Sequence, residues 1–176
     1  GAVLPFSSLI YAWLLPSAAY SVIGVVLAVN SLSKALGGQS VSLLVDGECL
    51  THRAAASAGA AFFLVGNVCL PLARRSLGLL VALVCASTWG WGALMVLLDT
   101  VTTSAFAVAV FGRTRAWSTL TWGSFAFLSQ VLVQYAGQAA RFALVGAATV
   151  PATAYMALAF PFAVLARRAP PSAAPP

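Results

Sequence analysis

Long apolar runs separated by short polar stretches make up most of this chain. Runs of roughly 18 or more apolar residues without a charge are typical of membrane-spanning helices, and such runs recur from residue 6 to residue 165. The strands of a membrane barrel would instead alternate apolar and polar residues over about 10 positions. The continuous runs, rich in Ala, Leu and Gly, therefore predict an all-α integral membrane protein.

The pattern favours a bundle of about five transmembrane helices, and four to six spans are compatible with it. The third span is unusually long, because a helix over 77–112 would extend about 54 Å, against a hydrocarbon core of about 30 Å. We expect it to be one helix whose end beyond Asp99 leaves the bilayer or packs on protein. The predicted spans cover approximately residues 6–31, 54–72, 77–112, 117–138 and 141–165.

Proline, glycine and charge mark the expected boundaries. Pro16 is expected to kink the first span, and Lys34 with Gly37-Gly38 is expected to end it before a polar loop over 33–53. Residues 1–168 are predicted to form a single transmembrane domain, followed by a Pro/Ala-rich disordered tail over 169–176. A chain that begins at Gly1 is expected to be a processed product or to lack its original N-terminus.

Composition supports a membrane setting and argues against nucleic-acid binding. The chain is 61% hydrophobic with a mean hydropathy of +0.98, and 7% of its residues are charged, against about a quarter in soluble domains. The net charge of +6 comes from basic residues at span ends, which orient membrane proteins, and no basic patch suits a nucleic acid. Five and six spans both place six basic residues on one side and three on the other, so sidedness stays open.

A stripe of glutamines is the first candidate site. Gln130, Gln134 and Gln138 are four residues apart, which places them along one helix face, with Arg141 one turn further. Amides in hydrocarbon need partners, so this face is expected to look toward another helix, a ligand or water. Hydrogen bonding between helices is one interpretation. The other is a site for a polar substrate or for a pigment magnesium, with the deep Trp122 beside it.

Asp99 and a run of small residues are the other notable features. An acidic residue inside an apolar run is a functional candidate, but Asp99 is an interfacial residue if the bilayer ends near Leu98. The small-residue stripe allows close helix contact, within the bundle or to a neighbouring subunit. The stripe consists of Gly78, Ala82, Ala86 and Gly90, and Ala139, Ala143 and Ala147 repeat the spacing.

No catalytic or metal-binding motif stands out. The chain has one histidine, His52, and lacks H-E-x-x-H, G-x-G-x-x-G, P-loop and G-x-S-x-G patterns. The three cysteines form no C-x-x-C pair, and we interpret them as ordinary small side chains. Without an acid/base pair or metal ligands at one depth, we predict that the chain is not an enzyme.

Two functions are compatible with these features. The first is an accessory or structural subunit of a large membrane assembly, such as a photosynthetic or respiratory complex of the thylakoid or mitochondrial inner membrane. In that setting the partners would be other membrane subunits and lipids, and chlorophyll or carotenoid would contact Gln130, Gln134, Gln138 and Trp122. The alternative is a small transporter or channel for a polar solute, with Asp99, the threonines after it and the glutamine face along its path.

Overall fold

The computed structural model describes residues 7–105 and 108–158, and the described part is helical with no strand. This confirms the all-α prediction. The five α-helices are α1 (Ser7–Leu14), α2 (Tyr20–Asp46), α3 (His52–Val68), α4 (Leu77–Ala105) and α5 (Val108–Leu158), and a 3₁₀ turn at Leu70–Ala73 follows α3. The predicted tail over 169–176 lies outside the described residues.

Two helices are long and apolar enough to cross a membrane. They are Tyr20–Asp46 and Leu77–Thr103, each 27 residues long. A span needs about 20 residues, so both exceed the length that a bilayer requires. Among the described helices, these two meet the requirement by length and composition.

The hydroxyl groups of the helices are largely satisfied within the helices themselves. Thr88 Oγ1, for example, donates to the Val84 carbonyl at 2.7 Å, and Thr121 Oγ1 donates to the Trp117 carbonyl at 2.9 Å. Bonds of this kind allow a hydroxyl to enter hydrocarbon without an unpaired donor. The same three- or four-residue bond is made by Ser31, Ser40, Ser87, Thr100, Thr102, Thr103, Thr119, Ser124, Ser129 and Thr149.

Helix α4 lies between α2 and α3 and contacts both through glycines. A Cβ on Gly92 would overlap the Lys34 carbonyl of α2, and a Cβ on Gly90 would overlap the Gly59 carbonyl of α3. Positions two apart on a helix point about 200° apart, so these glycines serve opposite faces. Helix α3 runs antiparallel to α4, because Gly59 faces Gly90 whereas Gly66 faces Ser87.

Two apolar clusters fill the spaces around α4. The first joins α1, the start of α2 and the 3₁₀ turn to the start of α4 and to Val145 of α5. The second joins Val41 of α2, the first half of α3 and the Ala93–Leu97 region of α4. Each cluster therefore combines helices distant in sequence, which ties the ends of α2 and α4 together.

The first predicted span differs from the structure at Pro16 and at its predicted end near Lys34. The chain leaves the helix after Leu14 and resumes it at Tyr20, so Pro16 lies in a break rather than in a kink. The predicted end near Lys34 was wrong, because α2 continues to Asp46. Gly37 and Gly38 are buried inside α2, where a Cβ on Gly37 would overlap the Trp89 backbone.

The third helix is long and continuous from Leu77 to Ala105, about 43 Å at 1.5 Å per residue. Its predicted bounds, 77–112, were wrong at the far end, because residues from Val108 onward belong to α5. Within the chain, the predicted small-residue stripe of α4 makes a close backbone contact at Gly90, and Ala86 is half-buried. Gly78 has no atom within 4 Å of a built Cβ, and Ala82 is exposed. The repeat at Ala139, Ala143 and Ala147 is also exposed. The close contacts use the opposite pair Gly90 and Gly92 instead.

We expect Gly92→Ala to destabilise the protein by about 1–3 kcal/mol, because the new methyl group has no room against α2. The matched control is Gly78→Ala, which should be neutral or stabilising by up to about 1 kcal/mol, since alanine is the better helix former and the site is open. Thermal melting in detergent measures both. Equal melting midpoints for the two variants would contradict the proposed contact.

Candidate functional site

The glutamine stripe lies on α5, which combines the predicted fourth and fifth spans. The helix continues from Val108 to Leu158 but contains a non-helical residue, Gly137, at φ 76° and ψ −179°. This backbone region is open essentially to glycine alone. The face shared by the glutamines is therefore interrupted, with Gln130 and Gln134 before the break and Gln138 after it.

Arg141 bonds across the break. Its guanidinium donates to Gln130 Oε1 at 3.0 Å, although eleven residues of straight helix would separate the two backbones by about 16 Å. Arg and Gln side chains together are too short for that span, so the bond depends on the change of direction at Gly137. The glycine is thus the residue that makes the contact possible, and the sequence pattern did not identify it.

Burial differs sharply among these polar residues. Arg141 is 1% exposed and Ser129 is fully buried, whereas Gln130 and Gln134 are exposed. Gln138 is half-buried, and its Oε1 is buried with no hydrogen-bond partner among the described residues. The hydrogen bond between Arg141 and Gln130 is therefore the contact that joins the two parts of α5 across Gly137.

The predicted contacts of pigment and lipid with the glutamine stripe and Trp122 remain predictions. Trp122 lies on α5, but its side chain falls outside the described side chains. The pigment and lipid contacts proposed for Gln130, Gln134, Gln138 and Trp122 are not tested by the geometry. The deep tryptophans of α4 pack on α3 instead: the rings of Trp89 and Phe62 lie 5.3 Å apart, and those of Trp91 and Phe63 lie 5.4 Å apart.

Asp99 makes an exposed ion pair. Its carboxylate binds Arg115 of α5, and the two side chains are 39% and 49% exposed, respectively. The hydroxyls of Thr100, Thr102 and Thr103 donate to carbonyls of their own helix. Asp99 and these threonines, which the transport interpretation placed along a path, are therefore engaged in contacts within the chain.

The structure also reveals a groove that the sequence pattern did not identify, with a mostly apolar lining that also includes Lys34, Gln39 and two serines. It lies between α2 and α4 and encloses about 370 Å³. The residues of α2 along it repeat at intervals of three and four, a spacing that places them along one part of a helix surface. The sequence carried this signal, but the helix was expected to end near Lys34. We name this feature the Lys34 groove; it is lined by Ser31, Lys34, Ala35, Gly38, Gln39 and Ser42 of α2 and by Gly92, Met95 and Val96 of α4.

Metal chemistry has no visible site in the described part of the chain. No group of three or more His, Cys, Asp or Glu side chains there is placed to hold a metal ion. The three cysteines are free thiols, with Cys49 exposed and Cys69 and Cys85 half-buried. Cofactor or metal binding through these residue types therefore has no support from geometry.

Comparisons with known proteins give no assignment. No protein-family model, no curated protein and no solved structure matches the chain. Function must therefore be argued from the residues themselves.

We expect Gly137→Ala to disturb the kink, at a cost of about 1–3 kcal/mol for a non-glycine residue in this backbone region. Spin labels at the exposed positions Ser124 and Val150, with the cysteines replaced, would measure the angle. A straight helix would separate these backbones by about 39 Å. The unsubstituted sequence should show a shorter distance, and Gly137→Ala should shift it upward. An identical distance distribution in both proteins would contradict the role of Gly137.

We expect Asp99→Asn to lower stability by less than about 1 kcal/mol, since the Arg115 pair is exposed to solvent screening. Arg115→Gln should behave similarly, and the double variant should add little to either. Chemical or thermal unfolding in detergent measures all three. A loss several times larger in Asp99→Asn would indicate that this carboxylate has a role beyond the ion pair.

Proposed function

We propose that the chain is an accessory subunit of a larger membrane assembly and contributes helix packing to it. The observation that carries this proposal is the outward face of α5 between residues 112 and 136. Ser129 is the one buried residue among the described side chains of that segment. The side chains at 125, 126 and 131–133 are half-buried, and the exposed side chains of the segment are available to something outside the chain.

The exposed face is apolar and rich in aromatic rings. At 100° per residue its members fall within about a third of the helix circumference. Trp117 is 63% exposed, Phe127 73% and Tyr135 82%. Exposed apolar patches of this kind mark contacts with protein or with membrane. We name this surface the α5 stripe: Trp117, Leu120, Phe127, Leu128 and Tyr135.

The residues beside the stripe favour a protein partner over lipid alone. The exposed amide of Gln134 lies next to it on the helix, and an amide facing hydrocarbon costs free energy unless it is hydrogen-bonded. A second transmembrane helix supplies such partners, at about 0.6–2 kcal/mol per bond. The partner that fits the α5 stripe is therefore a helix of another membrane subunit with a polar group facing Gln134.

The proposal includes the five-span topology. Five segments then cross the bilayer: α2, α3, α4 and the two parts of α5. Each part of α5 has roughly the 20 residues that a span needs, and α3, at 17 residues, is at the lower limit. The satisfied hydroxyls of Thr119, Thr121 and Ser124 support this placement of the first part.

Native-gel sizing after gentle detergent extraction from the native membrane tests the proposal. We expect the chain to co-migrate with a complex much larger than its own 18.0 kDa. The double variant Leu120→Ala, Phe127→Ala should reduce the co-migrating fraction roughly tenfold, since truncating interface anchors costs about 1.4 kcal/mol or more.

The matched control is the double variant Val25→Ala, Leu32→Ala. These side chains of α2 are 61% and 60% exposed but lie away from the α5 stripe, so assembly should be retained. Migration of the unsubstituted chain as a small monomer or dimer would overturn the proposed function. Equal losses in the two double variants would remove the α5 stripe as the interface.

A further inference from the structure

The Lys34 groove follows from the crossing of α2 and α4. The glycines at the crossing bring the backbones together, and beside this contact the two helices leave an open channel of about 370 Å³. The rim on α2 is polar, with Ser31, Lys34, Gln39 and Ser42, whereas Met95 and Val96 of α4 form an apolar floor. A cation, two types of neutral donor and an apolar surface therefore meet in one groove.

The charge of Lys34 is not balanced within the chain. The acidic residues are Asp46, Glu48 and Asp99, and the one ion pair among the described residues joins Asp99 to Arg115. Asp46 lies twelve residues further along α2, about 18 Å away on the helix axis. A cation inside a candidate span is costly unless an anion or water faces it, and an anion from outside the chain would balance this exposed ammonium group.

The neighbouring side chains are suited to an oxyanion. The Gln39 amide and the Ser42 hydroxyl can donate hydrogen bonds, and they line the same groove about one and two turns beyond Lys34 on α2. Charge-assisted hydrogen bonds to a phosphate are stronger than neutral ones. By contrast, the apolar flank on the other side of the crossing, lined by Leu36, Phe62 and Trp89, offers no charge to such a group.

The position of the groove relative to the spans is also suited to a lipid. Gly38 of α2 faces Val96 of α4, and the helices run side by side, so Ser42 and Asp99 lie at about the same level. Polar residues accumulate on both helices at this level, as expected at the edge of a bilayer. A headgroup there places its acyl chains toward the apolar residues deeper along the two helices.

We propose that the Lys34 groove binds the phosphate of an anionic phospholipid, held by Lys34, Gln39 and Ser42, with an acyl chain on Met95 and Val96. This inference requires membrane insertion but not the proposed assembly, because the site lies wholly within one chain. The groove recognises a phosphate group, and this phosphate belongs to a lipid headgroup rather than to the free ion.

Native mass spectrometry of the purified full chain tests the proposal. The protein is delipidated in detergent and then equilibrated with an equal mixture of phosphatidylglycerol and phosphatidylcholine. We expect the chain to retain phosphatidylglycerol preferentially. Lys34→Gln should reduce the ratio of retained phosphatidylglycerol to phosphatidylcholine about fivefold or more, the effect of losing about 1 kcal/mol of charged hydrogen bonding. Lys34→Arg should keep most of the preference.

The matched control is Arg113→Gln, which removes an exposed cation outside the groove and should leave the ratio unchanged. Because Lys34 is exposed, we expect Lys34→Gln to have the same melting midpoint as the unsubstituted protein, which thermal melting checks. No preference in the unsubstituted chain, or equal losses in Lys34→Gln and Arg113→Gln, would overturn the proposal. Displacement of the lipid by excess inorganic phosphate would also overturn it, because the groove would then recognise the ion alone.

Discussion

Helix α4 contacts two neighbours at once because Gly90 and Gly92 present no side chain on opposite faces. Gly90 admits the backbone of α3 at Gly59, and Gly92 admits the backbone of α2 at Lys34. In lipid, two helices expel no water when they meet, so they associate through close packing. Direct contact between backbones is the closest packing available. The positions of both apolar clusters and of the Lys34 groove depend on this pair of contacts.

Several features were predictable because they depend on residue spacing alone. Apolar runs identified the chain as helical, and the run after Leu77 indicated a long helix, which ends at Ala105 rather than at residue 112. The four-residue spacing of Gln130, Gln134 and Gln138 placed them on a common helix, and Arg141 does bond to one of them. The bond, however, arises from a bend that spacing does not reveal.

Glycine accounts for most of what the sequence could not predict. The same residue ends a helix, permits a backbone approach or takes a positive φ, and these roles differ only in what lies nearby. Gly37 and Gly38 were interpreted as an end but lie in a contact, whereas Gly137 lies within a predicted span but produces the bend. For the same reason, the groove at Lys34 was not predicted. Because the helix was expected to end at Gly37-Gly38, Lys34 was interpreted as a cation at a helix end.

The polar side chains of such an apolar chain can be sorted by where their hydrogen bonds go. Most hydroxyls bond to their own helix, and a few groups bond across helices, as Trp89 does to Ser40 at 3.1 Å and Asn30 does to Tyr11 at 3.0 Å. Lys34 and Gln134 are exposed, and Lys34 makes no ion pair with a described residue. Lys34 lies beside an apolar floor and Gln134 beside an aromatic stripe, so their surroundings differ as much as their charges. An ammonium group above an apolar channel is complementary to an anionic lipid, whereas a neutral amide beside aromatic rings is complementary to another helix. The chain therefore presents two outward surfaces of different chemistry, because each polar group left without an internal partner determines what its surface can bind.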